Sequence, residues 1–285
     1  MNPLDSVSPL VSVSVRLLFW VSVMCLGAAL VMVGPRKLAE LRTTALPRLR
    51  ELKVPLLALI AVLVASALGR GALQTVSELF GLHLTGLIFA IEGEFVAWLQ
   101  ATFQSESLTV YFSWVYIYGY VFMLTFPFIL YGVLEETTTL KRLITAYALN
   151  YAIGLAFYTL ILAHGPRNVM PDLVTSLLYT FNPDFQALTS EVNENTNVFP
   201  SLHTSLSATV MGFALLTRER YLAWAVIASW LAVSVWISTM YLGIHWLVDV
   251  FGGIGLAAGC IFLSYRFVSP SVGEIEEDTA TVLDD

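Results

Sequence analysis

The stretch "PSLHTSLSATVMGFALLTRERYLAWAVIASWLAVSVWISTMYLGIHWLVD", residues 200–249, holds two apolar runs divided by a short charged turn. As a helix rising about 1.5 Å per residue, the run 200–217 covers ~25 Å, close to the hydrocarbon thickness of a bilayer. Arg218, Glu219 and Arg220 are too costly to leave in hydrocarbon, so the chain turns there and runs back over 221–239. Two crossings return the chain to the face it left. Pro200, Ser201 and His203 are therefore expected to share a membrane face with His245 and Asp249, at one end of a helical bundle.

Composition extends this to the whole chain. Of 285 residues, 57% are hydrophobic and 12% charged, with mean hydropathy +0.76, whereas soluble domains carry roughly 25% charged residues. Apolar runs at 14–33, 54–70, 109–133, 142–163, 200–217, 221–239 and 246–265 predict seven crossings, the second short and the fifth ending early. Cations collect on alternate connections: Arg36, Lys37, Arg42, Arg48, Arg50 and Lys53, then Lys141 and Arg142, then Arg218 and Arg220, then Arg266. The alternation predicts a multi-pass cell-membrane protein with its N-terminus outside and its C-terminus in the cytoplasm. Arg16, Arg70 and Arg167 depart from the pattern, and Arg167 falls in an outer loop. The opening "MNPLDSVSPLVSVSV" lacks the basic region and small-residue cleavage site of a signal peptide, so the first span is expected to be retained.

The expected organisation is all-α: an extra N-terminal helix and basic cytoplasmic loop at 1–53, one membrane domain at 54–267, and an acidic, disordered cytoplasmic tail at 268–285. That tail supplies much of the net charge of −7, and no nucleic-acid partner is expected. Cys25 and Cys260 both lie inside spans as small apolar residues, so neither a disulfide framework nor a thiolate metal site is predicted. Neither a metal nor another cofactor is expected. The segment 71–107, with Glu78, His83, Glu92, Glu94 and Trp98 among apolar residues, suits helices lying along the outer interface, where they would roof a site. Glu92 and Glu94 carry no paired motif and read as interface polar residues. The longest irregular loop, His164–Phe199, contains "HGPRNVMPDL" and ends on the opening stretch.

Pro200 suits the first turn of a helix, having no amide hydrogen to leave unpaired. Ser201 and His203 would then sit in that turn, where free N–H groups and the helix dipole favour an anion, phosphate above all. His245 and Asp249, spaced i, i+4, are expected one turn apart on a helix face, the carboxylate taking the Nδ1 proton and leaving Nε2 as a nucleophile. Arg167 emerges on the same side with a guanidinium suited to phosphate. A nucleophilic histidine, a second histidine as acid and an anion cradle together describe phosphoryl transfer through a phosphohistidine.

These residues resemble the type 2 phosphatidic acid phosphatase superfamily. "PSLH" is similar to its second motif, usually Pro-Ser-Gly-His, and "STMYLGIHWLVD" to its third, Ser-Arg, five residues, His, three residues, Asp. The resemblance covers about Tyr111–Phe267, with the second span completing a six-helix core. It implies His245 as nucleophile, Asp249 as its orienting partner, and His203 as the acid that protonates the leaving group and then the base that activates the acceptor. Arg167, Ser201 and Thr239 would bind the substrate phosphate, and the partner would be a phospholipid or lipid phosphate in the bilayer.

The departures narrow the substrate. Leu160 stands where the first motif has lysine, Asn168 where it has proline, Leu202 in place of glycine and Thr239 in place of arginine. Pro166-Arg167, three residues, Pro171, together with the leucine form of the second motif, is similar to the inositolphosphotransferase branch, which includes inositol-phosphorylceramide synthase. A phosphate monoester carries nearly two negative charges and a diester one. One guanidinium with helix dipole and hydroxyls matches the diester, which implies transfer of a phospho-head group to an alcohol.

Each motif alone is weak, because a His, three residues, Asp pair is usually structural. Two of the chain's four histidines falling in the two motifs, on one face, outweighs that. His164 and His83 read as interfacial histidines satisfied by water, and the aromatic run around Trp114 and Tyr118 as an interface belt. The rival class is a non-enzymatic transporter using His203, His245 and Asp249 as a proton relay, which would spread polar groups through the bilayer. A vanadate-dependent peroxidase shares the site but belongs to soluble chains.

Overall fold

Apolar runs become helices wherever their length allows. The computed structural model describes residues 9–186 and 198–270; the Asn-rich stretch ending at Asn197 and the acidic run Glu274–Asp285 lie outside the described residues. In chain order the elements are α1 (Pro9–Met32), α2 (Pro35–Glu51), α3 (Lys53–Phe80), β1 (Leu82–His83), α4 (Thr85–Glu92) and α5 (Phe95–Phe103). There follow α6 (Glu106–Trp114), a π-helical turn (Val115–Gly119), α7 (Tyr120–Gly132), α8 (Thr138–Leu160), β2 (Ile161–Leu162), α9 (Pro166–Val169) and α10 (Leu177–Phe181). The last described helices are α11 (Leu202–Leu216), α12 (Leu222–Tyr241) and α13 (Leu247–Phe267).

Five of these units, α1, α6–α7, α8, α12 and α13, are long and apolar enough to cross a membrane, or up to seven if the bent pairs α2–α3 and α4–α5 each count as one span. The chain is an all-α, multi-pass membrane bundle, with one two-residue parallel pairing of β1 and β2. Two expected spans change their bounds. The second does not stop at 70 but continues to Phe80, where Gly81 ends it by donating its N–H to Ser77 O at 2.8 Å. The fifth starts at Leu202 rather than Pro200 and has 15 residues, about 22 Å.

So short a helix is tolerated because α7, α8, α12 and α13 enclose it, so its backbone is kept from lipid. Enclosure also explains its hydroxyls. Thr204, Ser205, Ser207 and Thr209 are all fully buried. Ser205 Oγ donates to Asn150 Oδ1, Asn150 Nδ2 donates to Thr209 Oγ1 at 3.1 Å, and Trp236 Nε1 donates to Ser207 Oγ at 3.0 Å. These bonds tie α11 to α8 and α12, where apolar contact alone gives little specificity inside a membrane.

The basic connections meet at one end of the bundle. Arg48 Nη1 donates to Gly132 O at 2.7 Å and to Leu134 O, Lys141 pairs with Glu51 at 3.3 Å, and Arg142 Nε donates to Val268 O at 3.1 Å. Those groups join α2 to the α7–α8 turn, and the start of α8 to the end of α13. At the other end of α13, Ser201 N donates to Asp249 O at 3.1 Å, so the starts of α11 and α13 lie side by side. Within the segment 71–107, residues 71–80 continue α3. α4 and α5 meet at 57° across Gly93, whose φ of +60° a side chain would strain.

Candidate active site

The site is built on three backbone segments that touch one another. The loop between α12 and α13 turns at Gly243, with φ +74°, and a Cβ there would meet Val174 Cγ1 at 2.8 Å. Thr239 O accepts the amides of Ile244 and His245, each at 3.0 Å, which pins His245 just beyond α12. Gly165 presses on this loop, since a Cβ would lie 2.3 Å from Ile244 O, and Arg167 N donates to Gly243 O at 3.2 Å. The segment leading into α11 is held by Ser201 N on Asp249 O and by Tyr158 OH, which donates to Pro200 O at 3.2 Å. Gly253 permits this contact, because a Cβ would sit 2.6 Å from Ser201 O.

His245 and Asp249 are 2% and 0% exposed, and His245 Nδ1 lies 3.3 Å from Asp249 Oδ2. They do not share a helix face. His245 precedes α13, and Asp249, in its first turn, reaches back to the imidazole while Oδ2 also accepts Trp246 N at 2.8 Å. The i, i+4 spacing brings the pair together for a different reason from the expected one: a carboxylate in the first helical turn serves both the cap and the histidine. His245 Nε2 has no hydrogen bond to a described residue.

Ser201 is the N-cap of α11, not part of its first turn, and its Oγ accepts Thr204 N at 3.3 Å. His203 lies in the first turn and packs on Tyr116, with ring centroids 4.4 Å apart at 15°, and on Tyr120 at 4.3 Å. The π-turn brings Tyr116 to this position, and such turns recur at functional sites. His203 is within electrostatic reach of His245, and its amide has no partner among the described residues. Arg167 stands over the Tyr179 ring at 4.9 Å, with Nη2 3.4 Å from the Tyr179 hydroxyl.

Thr239 is fully buried, and its hydroxyl donates to Trp236 O at 2.8 Å within its own helix. What it visibly supplies to the site is its carbonyl. Leu160 ends α8 with 63% of its surface exposed, so the position where a lysine was expected lies on the outside of the bundle. Leu202 packs onto Gly154 of α8, where a Cβ would be 2.5 Å from Leu202 Cδ2. The His164 imidazole has Nδ1 3.4 Å from Thr85 Oγ1, while its backbone N–H donates to Thr85 Oγ1 at 3.0 Å and its carbonyl accepts Trp246 Nε1 at 2.8 Å.

Glu92 and Gln100 are the residues that sequence reasoning passed over. Both belong to the α4–α5 element and both bind the backbone around His245. The signal was a carboxylate, in "FAIEGEF", placed in an apolar run with no neighbouring cation. Among the described residues, no group of three or more His, Cys, Asp or Glu side chains could hold a metal ion.

Neither a curated protein nor a solved structure matches the chain. A family model described as the PAP2 superfamily matches residues 86–263. The match begins well before Tyr111 and leaves out α3, so the described segments within it are the bent α4–α5 pair, α6–α7, α8, α11, α12 and α13. The match takes in every residue of the site and more than half of the chain, which therefore belongs to the PAP2 superfamily of phosphatase-type membrane enzymes.

Proposed function

We propose that the protein acts on a phospholipid through a phosphohistidine at the outer membrane face and passes the phospho-head group to an alcohol acceptor. His245 Nε2 attacks phosphorus while the bond from phosphorus to the lipid-alcohol oxygen breaks, and His203 protonates that oxygen. The neutral His203 then takes the proton of the acceptor hydroxyl, whose oxygen attacks the phosphohistidine and frees His245. Asp249 holds the Nδ1 proton throughout, which keeps Nε2 the nucleophilic nitrogen. Arg167, the His203 amide and the start of α11 hold the phosphoryl oxygens, with Ser201 shaping that helix start and Thr239 supporting His245.

The observation that carries this reading is the buried His245–Asp249 pair, 3.3 Å apart, with Nε2 unengaged among the described residues and His203 in the first turn of the adjoining helix start. Preference for a diester rests on the modest positive charge at the site, where Thr239 replaces an arginine and Leu160 a lysine. A proton relay finds less support, because the histidines and Asp249 gather at one end of the helices instead of running along them.

The test is to incubate purified protein with a diester phospholipid carrying a labelled head-group phosphate, and a lipid alcohol. Acid-labile label on the wild type, none on His245→Ala, and a transfer product are the expected results. Equal labelling of His245→Ala removes the nucleophile assignment. Efficient release of inorganic phosphate from a monoester without transfer replaces the transferase reading with a phosphatase.

A further inference from the structure

The bent α4–α5 element has no part in the chemistry above, yet it grips the His245 loop at both ends. Glu92, the last residue of α4, accepts Leu247 N at Oε1, 2.9 Å away, and Val248 N at Oε2, 3.0 Å away. These are the first two amides of α13. Gln100, 2% exposed in α5, donates from Nε2 to Tyr241 O at 2.8 Å and Thr175 O at 2.9 Å, and accepts Thr175 N at Oε1, 2.9 Å away. Tyr241 is the last residue of α12, so the loop 242–246 runs between two anchors on one element. Ile88, Val96 and Ala97 back these bonds by packing in one buried cluster with Trp246 and Val250.

The grip also changes what α13 offers to an anion. An unoccupied helix start attracts phosphate through its free amides and positive end. Here Trp246 N is taken by Asp249, and Leu247 N and Val248 N by Glu92. At the neighbouring start of α11, Ser201 N and Thr204 N are bonded, while the His203 amide has no partner among the described residues. Two helix starts lie side by side, and a carboxylate fills the one that carries Asp249.

We propose that Glu92 is a positioning residue for phosphoryl transfer: it fixes the loop that carries His245 and closes the start of α13 to phosphate, so that the substrate anion settles on α11 facing His245 Nε2. The inference rests on His245 being the nucleophile. Glu92 touches no reacting atom, and its contribution is geometric and electrostatic.

The test uses full-length protein in nanodiscs, with Glu92→Gln and Glu92→Ala. Glutamine keeps one acceptor and sets an NH2 group against the second amide, while alanine keeps none. Amide exchange at Leu247 and Val248 should quicken at least about tenfold in Glu92→Ala. The kcat should fall about 10- to 100-fold in both variants with KM changed less than about threefold. Unchanged exchange at both amides overturns the proposal, as does a kcat within twofold of wild type in both variants. A fall in kcat matched by an equal rise in KM and a lost thermal transition also overturns it, since that marks a general packing defect. Should the wild type prove inactive on every phospholipid, the phosphotransfer reading fails, and the exchange measurement still decides whether Glu92 holds the loop.

Discussion

Two helix starts stand next to each other in this protein and are finished in opposite ways. At α13, side-chain carboxylates fill the end: Glu92 takes two amides and Asp249 a third. At α11, a hydroxyl does the capping, Ser201 Oγ takes Thr204 N, and the His203 amide remains. The two ends carry the same sign of dipole, so the difference lies in the caps. An acidic cap turns a helix start into a rigid mount for a histidine, whereas a neutral cap leaves the positive end to a ligand.

Substitutions in the two starts test that contrast. His245→Ala, which empties the mount, should lower turnover by at least about 10⁴-fold with the thermal transition kept, measured as transfer product per enzyme. Comparable turnover would move the chemistry to α11 alone. His203→Ala should cost about 10³-fold in kcat, by loss of the acid and base. A loss confined to KM would make His203 a binding residue instead. Asp249→Asn keeps an acceptor for Trp246 N but no longer dictates the Nδ1 tautomer of His245, and about 10²-fold in kcat should be lost with stability nearly unchanged. Smallest is Ser201→Ala, which should cost about 1 kcal/mol of stability through the lost N-cap. A denaturation midpoint equal to wild type would show that the Ser201 hydroxyl is not a structural cap, and the contrast between the two starts would go with it.

Much of this architecture was legible because it depends on local composition. A bilayer selects apolar runs by length, and the charged turn Arg218–Arg220 forces the hairpin that unites His203 with His245 on one side. Bounds were less legible where two residues compete for a role. Pro200 fits a first turn, but Ser201 can accept an amide proton and so becomes the cap, which moves the helix start to Leu202. The His245–Asp249 spacing led to the right pair by way of a helix face that does not exist, because Asp249 reaches back from its turn. Glu92 was illegible for a plainer reason. Its partners Leu247 and Val248 lie more than 150 residues further along the chain, and no periodicity records such a contact. The π-turn beneath Tyr116 likewise sits in a uniformly apolar run.

The leucine of "PSLH" couples α11 to a position on α8. Its methyl group occupies the place where a Cβ on Gly154 would lie, at 2.5 Å. A side chain at 154 therefore requires the Leu202 side chain to move, and no backbone stands in its way. Gly154→Ala should act first on the Leu202 side chain at the start of α11, one residue before His203.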